Sequence, residues 1–142
     1  MTMQQATLYV GQKATRTNRV REKDIQSYAE LSGDMNPVHL NEAYAETTRF
    51  KGRIAHGMLS AGFISATLGN DLPGLGTIYL GQTLKFKAPV RPGDLLTTTV
   101  EILSIREDKP IVTLRTQCHN QDGILVIDGE ATVSVADLIA YS

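Results

Sequence analysis

Ala55-His56-Gly57-Met58-Leu59-Ser60-Ala61-Gly62-Phe63-Ile64-Ser65-Ala66-Thr67-Leu68 is the stretch on which the fold turns. It reads as a helix that carries no charge on any face. A helix apolar all round has to be surrounded by protein, and its small residues let the surrounding elements approach closely. The whole uncharged run, Ile54 to Asn70, falls short of a membrane span and is interrupted by His56, three glycines and several hydroxyls. A buried core helix is therefore expected rather than a membrane segment.

Past that helix the chain changes texture. Beyond Pro73-Gly74, the segments Thr77 to Phe86, Asp94 to Arg106, Lys109 to His119 and Ile124 to Val135 read as strands. Turn residues separate them at Arg91-Pro92-Gly93-Asp94, Asp108-Lys109-Pro110 and Asn120-Gln121-Asp122-Gly123. Val112, Leu114, Thr116 and Cys118 alternate with Thr113, Arg115, Gln117 and His119, the pattern of an antiparallel sheet with one wet face. Upstream, a strand over Lys13 to Val20 leads to a helix over Glu22 to Leu31, where Ile25, Tyr28, Ala29 and Ser32 recur at helical spacing and Gly33 ends it. A short helix capped by Asn41 is expected to run to Thr48. Helices succeeded by a run of strands indicate an α+β fold, a curved antiparallel sheet wrapped round the long central helix.

Composition narrows the function classes. The chain has 142 residues, 42% hydrophobic and 20% charged, with a formal net charge of -1. One domain over 1–142 accounts for it, since neither a repeat nor a linker marks a second. No basic run or face suggests nucleic acid. Cys118 is the sole cysteine, which excludes an internal disulfide and any CxxC zinc motif. The polar stretch Met1 to Lys13 lacks the apolar core of a secretory signal, so a cytoplasmic protein is expected.

The chemistry concentrates in Tyr28-Ala29-Glu30-Leu31-Ser32-Gly33-Asp34-Met35-Asn36-Pro37-Val38-His39. Pro37 disfavours helical geometry at Asn36, so Asp34 to Leu40 is expected to form a turn or extended loop. On such a segment Asp34 and His39 can converge on one water, the aspartate accepting and the imidazole donating or accepting. Asn36 can brace the bend. By spacing alone such a turn is more often a surface loop than a site, and both readings stand. Gly57 opens the uncharged helix, where free N–H groups and the positive end of the dipole could stabilise a developing oxyanion; alternatively it only permits close packing. His56 reads as a structural histidine or a supporting one. Ser65 reads as a serine bonded to its own helix, or as part of a cavity wall. His39 and His56 are separated by a whole helix and His119 lies on a strand, so no metal site is expected. No phosphate-binding glycine loop, dinucleotide motif or nucleophile elbow occurs.

Taken together, these segments resemble the MaoC-like (R)-specific enoyl-CoA hydratases. Tyr28 to Ala45 is similar to the hydratase signature, including Ser32-Gly33-Asp34 and Asn36-Pro37-Val38-His39. The likeness continues through His56-Gly57-Met58-Leu59, Gly76-Thr77-Ile78-Tyr79-Leu80-Gly81-Gln82, Lys85-Phe86 and Arg106-Glu107-Asp108-Lys109-Pro110, covering roughly residues 8 to 135. It is strongest to short bacterial hydratases that feed (R)-3-hydroxyacyl-CoA into polyhydroxyalkanoate synthesis. The resemblance implies a hot-dog fold, usually a homodimer, and syn addition of water to trans-2-enoyl-CoA without a cofactor. It implies Asp34 and His39 as the acid–base pair, the Gly57 N–H as oxyanion contact, Asn36 as the shaper of the loop, and Ser65 near the site. A thioesterase on the same fold, or a non-catalytic acyl-CoA-binding module, are the alternative readings. Lys85, Lys87 and Arg91 are candidates for the phosphates of coenzyme A only because they are basic and lie near one strand end; solvated surface charge is the stronger reading. Acyl chain length is not legible.

Overall fold

The computed structural model describes the backbone of residues 3–4, 7–138 and 140–141, with side chains over 7–138. The order is β1 (Met3–Gln4), β2 (Lys13–Arg19), α1 (Glu22–Ser32), α2 (Pro37–Leu40), α3 (Glu42–Glu46), α4 (Gly57–Asn70), β3 (Ile78–Gln82), β4 (Lys85–Phe86), β5 (Leu95–Ile105), β6 (Ile111–His119), β7 (Leu125–Ser134) and β8 (Ala140–Tyr141). The main sheet is antiparallel, with strands ordered β2-β5-β6-β7-β3 and β4 also paired to β7. β1 and β8 form a separate two-stranded ribbon that joins the chain ends. The α+β expectation holds.

Alternation along β6 resolves as expected: Val112, Leu114, Thr116 and Cys118 are buried, while the residues between them are partly or fully exposed. Their face of the sheet meets α4, which packs on β2, β5 and β6. Ile64, Leu68, Leu96, Val100, Ile102, Leu114, Ile127 and Val133 form the heart of the core, none more than 2% exposed. Burying such side chains stabilises by about 1.5–3 kcal/mol each.

Three expectations need correction. First, α4 is not sheathed on every face. Met58, Gly62, Ser65 and Gly69 form an exposed stripe, because a single sheet covers only one side of a helix. Exposed Ile78, Tyr79 and Leu80 on edge strand β3 continue the apolar surface. Second, Thr77 to Phe86 is not one strand. Thr83 donates its N–H to the Glu130 carbonyl and its hydroxyl accepts from the Glu130 N–H. That side-chain bond replaces a ladder bond and separates β3 from β4. Third, Pro37 to Leu40 is a single helical turn rather than extended loop. Asn36 does stay extended, at φ -54 and ψ 125. Proline fits the first helical position, where its missing N–H is not needed.

Among the described residues no helix is long and apolar enough to cross a membrane.

Candidate active site

Helix α1 ends where Gly33 adopts the left-handed conformation, φ 81, and returns its N–H to the Ala29 carbonyl. The reversal delivers Asp34. Its carboxylate Oδ1 accepts the Asn36 N–H at 3.3 Å, and its own N–H goes to the Ser32 hydroxyl at 3.1 Å. Asn36 in turn caps α2, its Oδ1 accepting from the Val38 N–H at 3.2 Å. Local hydrogen bonding by Asp and Asn thus builds the turn, for the reason these residues favour turns generally.

Helix α2 turns His39 inward until it is 9% exposed. Its Nδ1 lies 2.8 Å from the Ile54 carbonyl. A carbonyl only accepts, so Nδ1 carries the proton and Nε2 presents a lone pair. Burial drives the His39 pKa below the ordinary 6.5; the bond to Ile54 partly opposes this, the charge of His56 adds to it, and Asp34 again opposes it. His39 is therefore a neutral proton acceptor at neutral pH.

The carbonyl of Ile54 is held in turn, because the Ile54 N–H donates to Val38 and the Ala55 N–H to Val90. This pinned segment delivers His56 as the N-cap of α4, 2% exposed. The His39 and His56 rings stack with centroids 3.8 Å apart and planes 28° apart. His56 Nε2 reaches the Asp34 carbonyl at 3.0 Å. Polar atoms of Asp34, His39 and His56 all lie within 4.8 Å of one another.

The expected separation of the two histidines is thus overturned. Helix α3 lies between them in sequence, but the chain doubles back and packs one ring on the other. The resulting trio offers donor types suited to a metal. The carbonyl bonds leave one nitrogen of each ring without a protein partner among the described residues, Nε2 of His39 and Nδ1 of His56, and the latter is buried.

Gly57 is the first residue of α4, and the wall it forms is tight. A Cβ there would meet the Phe86 ring at 2.6 Å. His39 and Gly57 line one cleft of about 620 Å³, walled by Phe50, Ile54, Met58, Phe86, Val90 and Ile127, with Arg49 and Lys87 as its cations. The cleft is apolar with a few convergent polar groups, the usual make-up of a small-molecule site.

Ser65 lies elsewhere. It lines a second groove of about 420 Å³ with Met58, Gly62, Tyr79 and Leu80, and Met58 alone borders both. Arg91 donates to the carbonyls of Phe50, Gly52 and Arg53, which makes it a structural brace. Of the proposed phosphate contacts, only Lys87 borders the cleft. Sequence reading missed Arg49, Phe50 and Ser60. Ser60 is 1% exposed, and its Oγ finds no hydrogen-bond partner among the described residues. Its only signal in the sequence was its place one turn beyond His56.

Comparison with known proteins gives this geometry a context. The MaoC like domain matches residues 4–121. The chain is 58% identical over 125 residues to an (R)-specific enoyl-CoA hydratase of Rhodospirillum rubrum, covering 88% of this chain and 86% of that protein. It is 49% identical over 133 residues to the (R)-specific enoyl-CoA hydratase of Aeromonas caviae, covering 94% and 99%. Its structure superposes on that of the (R)-hydratase from A. caviae involved in PHA biosynthesis with a TM-score of 0.88 and 50% identity, covering 90% of this chain and 97% of that one. The α+β architecture is the hot-dog fold that the resemblance implied. With a family match over most of its length and relatives at this identity, the chain belongs to the MaoC-like family.

Proposed function

We propose that this chain adds water reversibly to trans-2-enoyl-CoA, giving (R)-3-hydroxyacyl-CoA. One observation carries the reading: a neutral imidazole, His39, lines a cleft together with Gly57 at the start of α4, and the Asp34 carboxylate, although not itself part of the cleft wall, lies within 4.8 Å of that imidazole. His39 Nε2 takes a proton from water as the oxygen bonds to C3 of the enoyl group, and Asp34 accepts the second hydrogen to orient that water. Electrons of the C2–C3 double bond move toward the thioester oxygen, where the Gly57 N–H stabilises the charge as it forms. His39 returns the proton to C2 on the same face. Nothing is lost from the substrate, and no cofactor is needed. The relatives named as (R)-specific hydratases support the substrate and stereochemistry, and the (R)-product suits polyhydroxyalkanoate synthesis.

The unit that works is a homodimer, each chain a single domain of the cytoplasm. Met58 and Leu80 are each more than half exposed and line one groove with Tyr79, and a second copy is the occupant that would cover it. Analytical ultracentrifugation tests this by giving the mass of two chains, falling to one for Leu80→Glu.

The reaction is tested by following crotonyl-CoA absorbance, with chiral analysis of the product. Asp34→Asn and His39→Ala should each lower the rate by roughly 10²–10⁴-fold. Thiol release from saturated acyl-CoA at rates above hydration would replace this reading with that of a thioesterase.

A further inference from the structure

His56 stands outside the cleft yet touches both members of the acid–base pair. Its ring meets Tyr28 from α1 in a tilted contact, centroids 4.7 Å apart, and stacks on His39 from α2 at 3.8 Å. Its Nε2 faces the Asp34 carbonyl, an acceptor, so that nitrogen carries the proton. Nδ1 is then bare, and it finds no partner among the described residues. A ring needed only for packing would serve as well without that buried, unsatisfied nitrogen. What histidine adds to a flat apolar ring is the N–H held by Asp34.

The consequence is a shared mount. Asp34 otherwise rests on bonds to its own neighbours, Ser32 and Asn36. His56 ties its main chain to the residue directly before Gly57, and the same ring backs His39. We propose that His56 is a positioning residue that holds Asp34 and His39 in register with the Gly57 N–H, and that it does so as the Nε2–H tautomer. This rests on the hydration reading for its rate consequences, but not for its tautomer. Misplacing a reacting group by about 1 Å can cost 10²-fold in rate, so a mount shared by three groups is a sensitive point.

Two variants separate the two contacts. His56→Phe keeps the stacking face and loses the donor; His56→Gln keeps a donor and loses the face. Each should lower kcat on crotonyl-CoA by roughly ten- to a hundredfold with KM within about threefold. In His56→Phe the acid limb of the pH–rate profile should also move upward. The His56 imidazole lowers the His39 pKa; without it, burial acts against the Ile54 bond and Asp34, with the cleft cations Arg49 and Lys87 on the side of burial. Wild-type kcat in both variants, or a loss confined to KM, overturns the proposal.

Should either variant fail to fold, ¹⁵N NMR of the imidazoles in the wild-type chain decides. It should find the proton on Nε2 of His56 and on Nδ1 of His39, and a proton on Nδ1 of His56 overturns the proposal. Wild-type protein that does not hydrate crotonyl-CoA would sink the proposed function while leaving this tautomer test intact.

Discussion

Replacing Gly57 by alanine puts a methyl group where the cleft meets the start of α4. The new Cβ would stand 2.6 Å from Phe86 Cε1 and 2.9 Å from Cδ1. Carbon atoms in contact prefer about 3.5–4.0 Å, so the ring must withdraw by roughly 1 Å. Phe86 is 53% exposed and can swing toward solvent, so the fold should tolerate the change. Alanine is up to about 1 kcal/mol better than glycine in a helix, which offsets part of the remaining strain. Stability should therefore move by less than about 1 kcal/mol.

Activity should behave differently. The methyl and the displaced ring occupy the approach to the Gly57 N–H, and losing one oxyanion donor costs about 10²–10³-fold in kcat. The assay pairs crotonyl-CoA hydration with thermal unfolding of the same preparation. Hydration within about threefold of wild type would refute the oxyanion assignment. So would recovery of the rate in Gly57→Ala/Phe86→Leu, which would transfer the loss from the amide to the ring.

Burial keeps the His39 pKa below 6.5, so hydration should stay level through neutrality with its acid limb below that value; a limb at or above it contradicts a buried neutral base. The same shift has a sign for stability. Below pH 6.5 the unfolded chain takes up a proton that folded His39 refuses, so stability falls with pH down to the folded pKa, and denaturant titrations at about pH 7.5 and 5.5 should show it. Gly129→Ala should lower stability by about 3 kcal/mol or more, because its Cβ would lie 1.9 Å from the Thr83 carbonyl oxygen, a backbone atom that no rotamer can move; an unchanged denaturation midpoint would contradict this. Extensive dialysis against a chelator should leave hydration unchanged, since the proposed steps use only side chains and one main-chain N–H; loss of activity restored by a divalent cation would redirect attention to Asp34, His39 and His56 as ligands.

Much of this protein is written locally. The alternation along Ile111–His119 fixed which residues face the core, and the uncharged run fixed α4 as the element the sheet packs on. Asp34 and His39 could be paired on paper because they lie five residues apart along a turn, a distance over which local bonding by Ser32 and Asn36 determines the path. Residues further apart carry no such signal. The break between β3 and β4 depends on how Thr83 meets Glu130 across the sheet, and nothing in Thr77 to Phe86 announces it.

The sequence by itself determined most of the elements, the buried face of β6, the local turn that carries Asp34 and His39, and the family likeness. Tertiary structure alone decided that His56 stacks on His39, that its bond reaches Asp34 across 22 residues, and that Ile54 fixes which nitrogen of His39 is bare. It also decided that a stripe of α4 with Met58 stays uncovered, while Ser65 faces a separate groove. The reason is physical. Periodicity records which side of an element seeks the core, whereas contacts between elements depend on where the sheet sets the end of α4, a sum of packing over the whole chain.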